Sequence, residues 1–131
     1  IDHGTVRMGI AMSDELKIIA QPLEFIPAEP FSGLLKRLSE LLRDYKVELI
    51  LLGMPRNMDG SYGEASLKVR EFEAVLKNSI TLPVKTWDER LTSVQANRAL
   101  SQGRVKKQKK RQNVDAMAAA ILLQSYLDSL A

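Results

Sequence analysis

A nearly continuous apolar run, Val47-Glu48-Leu49-Ile50-Leu51-Leu52-Gly53, decides the fold class. Such a run is typical of a central parallel strand that is buried on both faces. Before it, residues 32–46 carry leucines at helical spacing with charged residues between them, and this period predicts an amphipathic helix. A helix that leads into a buried strand is typical of an α/β protein.

Working towards the N-terminus, the pattern changes to strands. Apolar residues alternate with small ones from Arg7 to Ser13, and residues 18–26 form a second candidate strand in which Pro22 predicts an edge position or a bulge. Short polar links join these segments, so we expect an antiparallel meander whose first strand runs through Asp2. The chain opens at Ile1 without an initiator methionine, and we expect a few native residues to precede it.

Working towards the C-terminus, helices alternate with one more strand. Capping-box patterns at Ser61/Glu64 and at Thr92/Gln95 predict helices over residues 62–78 and from 92 to about 103, and residues 82–87 read as a short strand between them. A last helix follows the candidate N-cap Asn113. The order predicts a single α/β domain over residues 1–131. Its mixed five-stranded sheet has three antiparallel strands, then parallel ones, with helices on both faces.

Composition excludes several kinds of site. The chain has 131 residues, no cysteine and one histidine, so disulfide scaffolds, thiol catalysis, cysteine zinc sites and multi-histidine metal sites are excluded. No apolar run approaches the roughly 18 residues of a membrane span, and no signal peptide is visible, so we expect a cytoplasmic protein. A catalytic metal would need carboxylate ligands, which favours Mg²⁺ or Mn²⁺.

The positive charge is concentrated in one place. Lys and Arg number 19 against 16 Asp and Glu, for a formal net charge of +3. Residues 104–111, which we call the basic segment, contain six of these cations: Arg104, Lys106, Lys107, Lys109, Lys110 and Arg111. The rest of the chain is net negative. Such a segment predicts a phosphate-rich partner. The alternative is a solvated surface loop.

Three separated acidic motifs are candidates for chemistry. Asp2 lies on the first strand, the pair Asp88-Glu89 follows the strand over residues 82–87, and Asp115 stands in the first turn of the last helix. Each also has a local interpretation: a turn residue at Asp2, an ion pair of Asp88 with Arg90, and a favourable helix-dipole contact for Asp115.

Together, these acids suggest nuclease chemistry. The alanines at 116 and 118–120 would let the last helix lie close to the sheet and bring Asp115 towards Asp2. Carboxylates gathered in this way could hold two Mg²⁺ or Mn²⁺ ions about 3.5–4 Å apart, as phosphodiester-cleaving enzymes do. The basic segment would hold the substrate backbone, with further phosphate contacts from Arg7, Arg56 and Arg90. Each arginine is also ordinary as a surface or salt-bridge residue.

Four segments carry a resemblance to a known family. They are residues 1–14 (IDHGTVRMGIAMSD), 53–63 (GMPRNMDGSYG), 88–93 (DERLTS) and 114–122 (VDAMAAAIL). In this order they resemble the YqgF family, which comprises bacterial RNase H-like proteins described as Holliday junction resolvases and as pre-16S rRNA nucleases. The resemblance covers essentially the whole chain.

The resemblance implies an RNase H-like domain, metal-dependent nuclease activity and a role in maturing the 5′ end of ribosomal RNA, with pre-ribosomal particles as partners. The family's catalytic acids fall on Asp2, Asp88-Glu89 and Asp115, and its metal ligands on Asp2, Glu89 and Asp115. We favour Glu89 over Asp88 for its longer reach, and Asp88 stays an alternative. One departure is that the strand over residues 47–53 has no acid at its end before Asp59, so the pair on the neighbouring strand must serve instead.

Two other functions stay open at this point. The same chemistry could act on branched DNA, because phosphate contacts carry no base-specific information. The chain could also be a nucleic-acid-binding or ribosome-assembly factor with little catalysis, since a fold alone does not imply a function.

Overall fold

The computed structural model describes residues 1–57, 59–91 and 114–130, without the side chains at 91, 114 and 115. Its elements in chain order are β1 (Arg7–Ser13), β2 (Ala20–Pro27), α1 (Phe31–Asp44), β3 (Ile50–Met54), α2 (Glu64–Ser79), β4 (Val84–Asp88), a 3₁₀ turn (Glu89–Leu91) and α3 (Val114–Ser129). The mixed α/β class is as predicted. The helix predicted from residue 92, the cap at Asn113 and the basic segment lie outside the described residues.

The first two strands form an antiparallel pair. Arg7 lies opposite Pro27 and Ser13 opposite Ala20, and the register shifts between Ile10 and Ala11. At the shift, β2 carries one extra residue beside Pro22, as expected where a proline cannot donate to the ladder. The predicted bulge at Pro22 is therefore confirmed.

The other two strands pair in parallel, from Ile50 opposite Val84 to Met54 opposite Asp88. Residues 1 and 2 lie between the two strand pairs. The Ile1 amino group donates to the Leu51 carbonyl at 2.6 Å, and the Gly53 N–H donates to the Ile1 carbonyl at 3.1 Å. On the other side of this two-residue segment, Asp2 exchanges two backbone hydrogen bonds with Gly9 of β1, at 2.9 and 3.0 Å.

The sheets are shorter than the sequence predicts. The described residues form two two-stranded sheets and not a continuous five-stranded one, because the segment before Gly4 contributes a single bridge.

Helices cover both faces of the strands. Ile10 belongs to a core cluster with residues of α1, α2 and β3, including Leu34, Leu52 and Leu76. Its neighbour Ala11 packs on the opposite side, against the cluster of α3. Successive side chains of a strand point to opposite faces, so α1 and α2 lie on one face and α3 on the other. None of the helices in the described part of the chain is long and apolar enough to cross a membrane.

The start of α2 differs from the capping-box prediction. Gly63 is the N-cap and no side chain caps the helix. The Ser61 hydroxyl and N–H both donate to Asp59 Oδ1 instead, at 2.6 and 2.9 Å. A nearby carboxylate therefore outcompetes the helix end for the serine. Ser66, and not its neighbour Ala65, lies on the buried face of α2, and its hydroxyl donates to the Pro55 carbonyl.

Candidate active site

Glu89 lies over the carboxyl end of β3. It begins the 3₁₀ turn after β4, and its side chain reaches back across Gly53. A Cβ at Gly53 would stand 2.8 Å from Glu89 Oε1 and 2.9 Å from Leu122 Cδ2 of α3. The missing side chain of Gly53 is therefore what allows Glu89 and α3 to approach the strand.

Asp2 shares this site with Glu89. The pKa of Glu89 is raised because its carboxyl is partly buried, because the Asp2 carboxylate lies near it and, to a lesser extent, because Asp88 does. Asp2 is fixed in this position by its backbone bridge to Gly9 and by the hydrogen bonds of Ile1 to β3. A residue at the start of the chain thus comes beside one that follows β4.

The site lies on the face that α3 covers. His3 packs on the other face, with its ring 5.2 Å from that of Phe72 in the α1–α2 core. Because neighbouring residues in extended backbone point to opposite sides, the Asp2 side chain faces α3. α3 also packs closely: Ala116, Ala119 and Ala120 are buried, as expected for its small-residue stretch. Asp115 belongs to the first turn of this helix, and its side chain is outside the described residues.

Asp88 is engaged in a different way from Glu89. Its carboxylate accepts hydrogen bonds from the Arg90 backbone N–H at 2.9 Å and from the Arg90 guanidinium at 2.7 to 3.2 Å, and Arg56 lies 3.5 Å away. The side-chain hydrogen bonds of Arg90 lower the pKa of Asp88. The local ion pair considered from the sequence is therefore present, and the two adjacent acids have opposite electrostatic environments.

The two arginines beside Asp88 also hold the loop before α2. Arg56 donates to the Gly60 carbonyl and lies over the Tyr62 ring, 4.6 Å from its centroid. A Cβ at Gly60 would stand 3.5 Å from the Arg90 guanidinium and 3.8 Å from that of Arg56, so both arginines pack against this turn. Arg70 of α2 lies over the same ring at 4.4 Å. Sequence reasoning missed Tyr62 and Arg70, since no pattern connects them.

The remaining predicted binding residues lie elsewhere or outside the described chain. Arg7 lies at the start of β1 with its guanidinium 5.2 Å from the Phe25 ring centroid. Lys106, Lys107, Lys109 and Lys110 fall within the basic segment, which is outside the described residues. Among the residues that are described, no three acidic or histidine side chains come together as a metal site.

One structural residue of α3 had no signal in the sequence. Gln124 of α3 is buried; its Oε1 accepts from the Ala20 N–H and its Nε2 donates to the Ile18 carbonyl, both at 2.9 Å. These bonds attach α3 to the hairpin of β1 and β2. They therefore help to set the position of the helix that carries Asp115.

The donor set suits a hard divalent cation. Mg²⁺ and Mn²⁺ prefer carboxylate oxygens. Burial and like charge already disfavour the ionised form of Glu89, and a cation bound between Glu89 and Asp2 would relieve that repulsion. The bare Gly53 backbone lets the Glu89 carboxylate lie directly against the end of β3.

Known proteins resemble this chain over nearly its whole length. The family described as "RuvX: Holliday junction resolvase" matches residues 1–129. Proteins from Desulforamulus reducens and Bacillus subtilis, both named "Putative pre-16S rRNA nuclease", are 44% and 42% identical and cover 98% and 99% of this chain and 94% and 96% of their own lengths. A solved structure titled "T. thermophilus RuvC in complex with Holliday junction substrate" aligns over 98% of this chain and 92% of its own, with 16% identity and a TM-score of 0.49.

Proposed function

Because the chain belongs to the RuvX family and relatives of it are named "Putative pre-16S rRNA nuclease", we propose that it is a metal-dependent endonuclease that processes the 5′ end of pre-16S rRNA. The observation that carries the proposal is the pairing of Asp2 with Glu89 over Gly53, on the face covered by α3. Carboxylates in this arrangement are suited to phosphodiester hydrolysis.

The proposed scaffold is a single RNase H-like domain over residues 1–131. Its support is the two backbone hydrogen bonds between Ile1 and β3, together with the bridge between Asp2 and Gly9. A first strand continuing through these residues would join β1 to β3 and complete a five-stranded mixed sheet. Asp2 would then stand on the central strand.

We assign Asp2, Glu89 and Asp115 as the residues that hold Mg²⁺ or Mn²⁺, with room in the donor set for two ions. When bound there, such a metal would provide an activated water and would stabilise the leaving oxygen. Glu89 is the better ligand of the adjacent acids, because Asp88 already accepts several hydrogen bonds from Arg90. Asp88 instead orients Arg90 and Arg56 beside the metal ligands.

The substrate is held by cations around this centre. Arg56 and Arg90 stand next to the acids through Asp88, and guanidinium groups suit bidentate contacts with phosphate. Arg7 and the lysines at 106, 107, 109 and 110 would add further backbone contacts. Such contacts position a nucleic acid without reading its sequence.

The names of the relatives favour pre-16S rRNA as the substrate. We propose pre-ribosomal particles as its partners and the cytoplasm as its location. The description of the family favours the alternative, a branched-DNA resolvase. A binding or assembly factor with little catalysis is the third candidate.

Cleavage assays separate these three functions. RNA carrying the 5′ boundary of 16S rRNA and a four-way DNA junction are incubated with protein in Mg²⁺, Mn²⁺ or EDTA. We expect metal-dependent cleavage of the RNA, none with Asp2→Asn, and full activity with the control Asp44→Asn, which alters an exposed acid of α1. Preferred cleavage of the junction would establish the resolvase function. Binding without cleavage of either substrate would refute catalysis.

A further inference from the structure

Four side chains form a compact group beside the acids, which we call the arginine–tyrosine cluster: Arg56, Tyr62, Arg70 and Arg90. Two guanidinium groups, of Arg56 and Arg70, lie 4.6 and 4.4 Å from the centroid of the Tyr62 ring. The third, of Arg90, is near enough to Tyr62 for that residue to contribute to raising the Arg90 pKa. Tyr62 itself is 49% exposed.

Contact with an aromatic ring orients a guanidinium in a useful way. A guanidinium stacks through its planar face, and its five N–H donors lie in that plane, at its edge. Cation–π contact therefore holds Arg56 and Arg70 while leaving N–H groups directed towards an anion. Arg70 has no ion pair with any carboxylate in the described part of the chain, and its ring contact orders it without neutralising it.

We propose that the arginine–tyrosine cluster binds a phosphodiester group of the substrate strand, next to the one that is cleaved. The inference rests on the proposed function and adds Arg70 as a phosphate contact and Tyr62 as the residue that positions it. Asp88 links the cluster to the acids: it pairs with Arg90 and Arg56 and is followed directly by Glu89. Because consecutive Cα atoms are about 3.8 Å apart, the cluster bound to Asp88 lies close to Glu89. A nucleic-acid strand that is bound at Glu89 would therefore pass the cluster.

A phosphate fits this group better than a base does. The Tyr62 ring is already in contact with two guanidinium groups, so the ring is poorly available for stacking a base. Arg56 and Arg90 both pair with Asp88, and Asp59 also interacts electrostatically with Arg90. Arg70 pairs with neither acid, so its positive charge favours an anion. Arginine recognises phosphate through two parallel hydrogen bonds, which the oriented N–H edges can supply.

The test measures binding as a function of salt, independently of cleavage. Fluorescence anisotropy follows labelled pre-16S RNA and a labelled four-way DNA junction, in Ca²⁺, with Arg70→Gln, Tyr62→Leu and the double variant. Arg43→Gln controls for the removal of one exposed positive charge on α1, and Tyr45→Leu controls for the removal of a tyrosine that is 53% exposed.

We expect Arg70→Gln to weaken binding on the order of tenfold, for either nucleic acid, and to reduce the slope of log K against log salt by about 0.7–0.9. Tyr62→Leu changes no charge, yet it should weaken binding and reduce the slope, because it frees the guanidinium groups. The double variant should weaken binding by less than the product of the two single effects, because both act on one contact.

Two results would overturn the proposal: slopes unchanged from the control variants, or a Tyr62→Leu variant that binds like wild type. If the variants bind as expected but wild type cleaves neither substrate in Mg²⁺ or Mn²⁺, the proposed nuclease function is refuted and the phosphate site is still supported. The two failures are therefore distinguishable.

Discussion

Replacing Gly53 with alanine places a methyl group where Glu89, Leu122 and the end of β3 meet. The new Cβ would stand 2.8 Å from Glu89 Oε1 and 2.9 Å from Leu122 Cδ2, so the Glu89 carboxylate must retreat by about 0.6 Å to reach an ordinary contact of 3.4 Å. Both neighbours are ends of side chains and can move. We therefore expect a modest overpacking cost of about 1 kcal/mol, which lowers the melting temperature by roughly 4 °C.

The effect on cleavage should exceed the effect on stability. Misplacing a reacting group by 1 Å costs on the order of 10²-fold in rate, so a shift of about 0.6 Å should slow cleavage roughly tenfold. Thermal unfolding and single-turnover cleavage in Mn²⁺ measure the two effects separately. Gly33→Ala is the matched control: its Cβ would meet only Pro30, at 3.7 Å, and a helical alanine should stabilise α1 by about 0.5–1 kcal/mol. Wild-type cleavage by Gly53→Ala would refute the placement of Glu89 at the reacting centre.

Three further predictions concern Glu89, Gln124 and the basic segment. Because its pKa is raised, ionised Glu89 destabilises the folded state at neutral pH, and this destabilisation disappears as acid protonates the carboxyl group. Without metal, Glu89→Gln should therefore melt at a higher temperature than wild type near pH 7, and the difference should vanish in acid. The variant should also lose the stabilisation that Mn²⁺ gives to wild type. Gln124→Met leaves the buried Ala20 N–H without an acceptor and should cost about 1–3 kcal/mol in urea unfolding. Gln21→Met, at an exposed position of β2, should be nearly neutral. The last variant replaces four lysines of the basic segment with alanine: Lys106, Lys107, Lys109 and Lys110. It should reduce the slope of log K against log salt by about 0.7–0.9 for each phosphate that is no longer neutralised, with little change in the cleavage rate at saturating substrate. An unchanged slope would exclude the segment from nucleic-acid binding.

Periodicity was sufficient for the elements whose pattern is local. The strand from Arg7 to Ser13 and the small-residue face of α3 follow from the order of apolar and small residues alone. The bulge beside Pro22 follows from the missing N–H of the proline. The capping box at Ser61 failed because Asp59, two residues earlier, offers a stronger acceptor.

The chemistry of the site depends on contacts that sequence order does not show. Asp88 and Glu89 are adjacent and similar. The pairing of Asp88 with Arg90 is local and could be considered from the sequence, whereas Asp2, Arg56 and the bare backbone of Gly53 come from distant parts of the chain. The bond between Gln124 and Ala20 likewise joins residues 104 positions apart. Such pairs become visible only when the strands and helices are packed together.

The central claim is that Asp2 and Glu89, and not Asp88, hold the divalent metal. Electron paramagnetic resonance of free Mn²⁺ measures metal binding directly, in wild type and in Asp2→Asn, Glu89→Gln and Asp88→Asn. We predict that wild type and Asp88→Asn bind Mn²⁺ with similar affinity, and that Asp2→Asn and Glu89→Gln bind it at least tenfold more weakly, since each removes a charged ligand. Wild-type Mn²⁺ affinity in Glu89→Gln, with binding abolished in Asp88→Asn, would contradict the account.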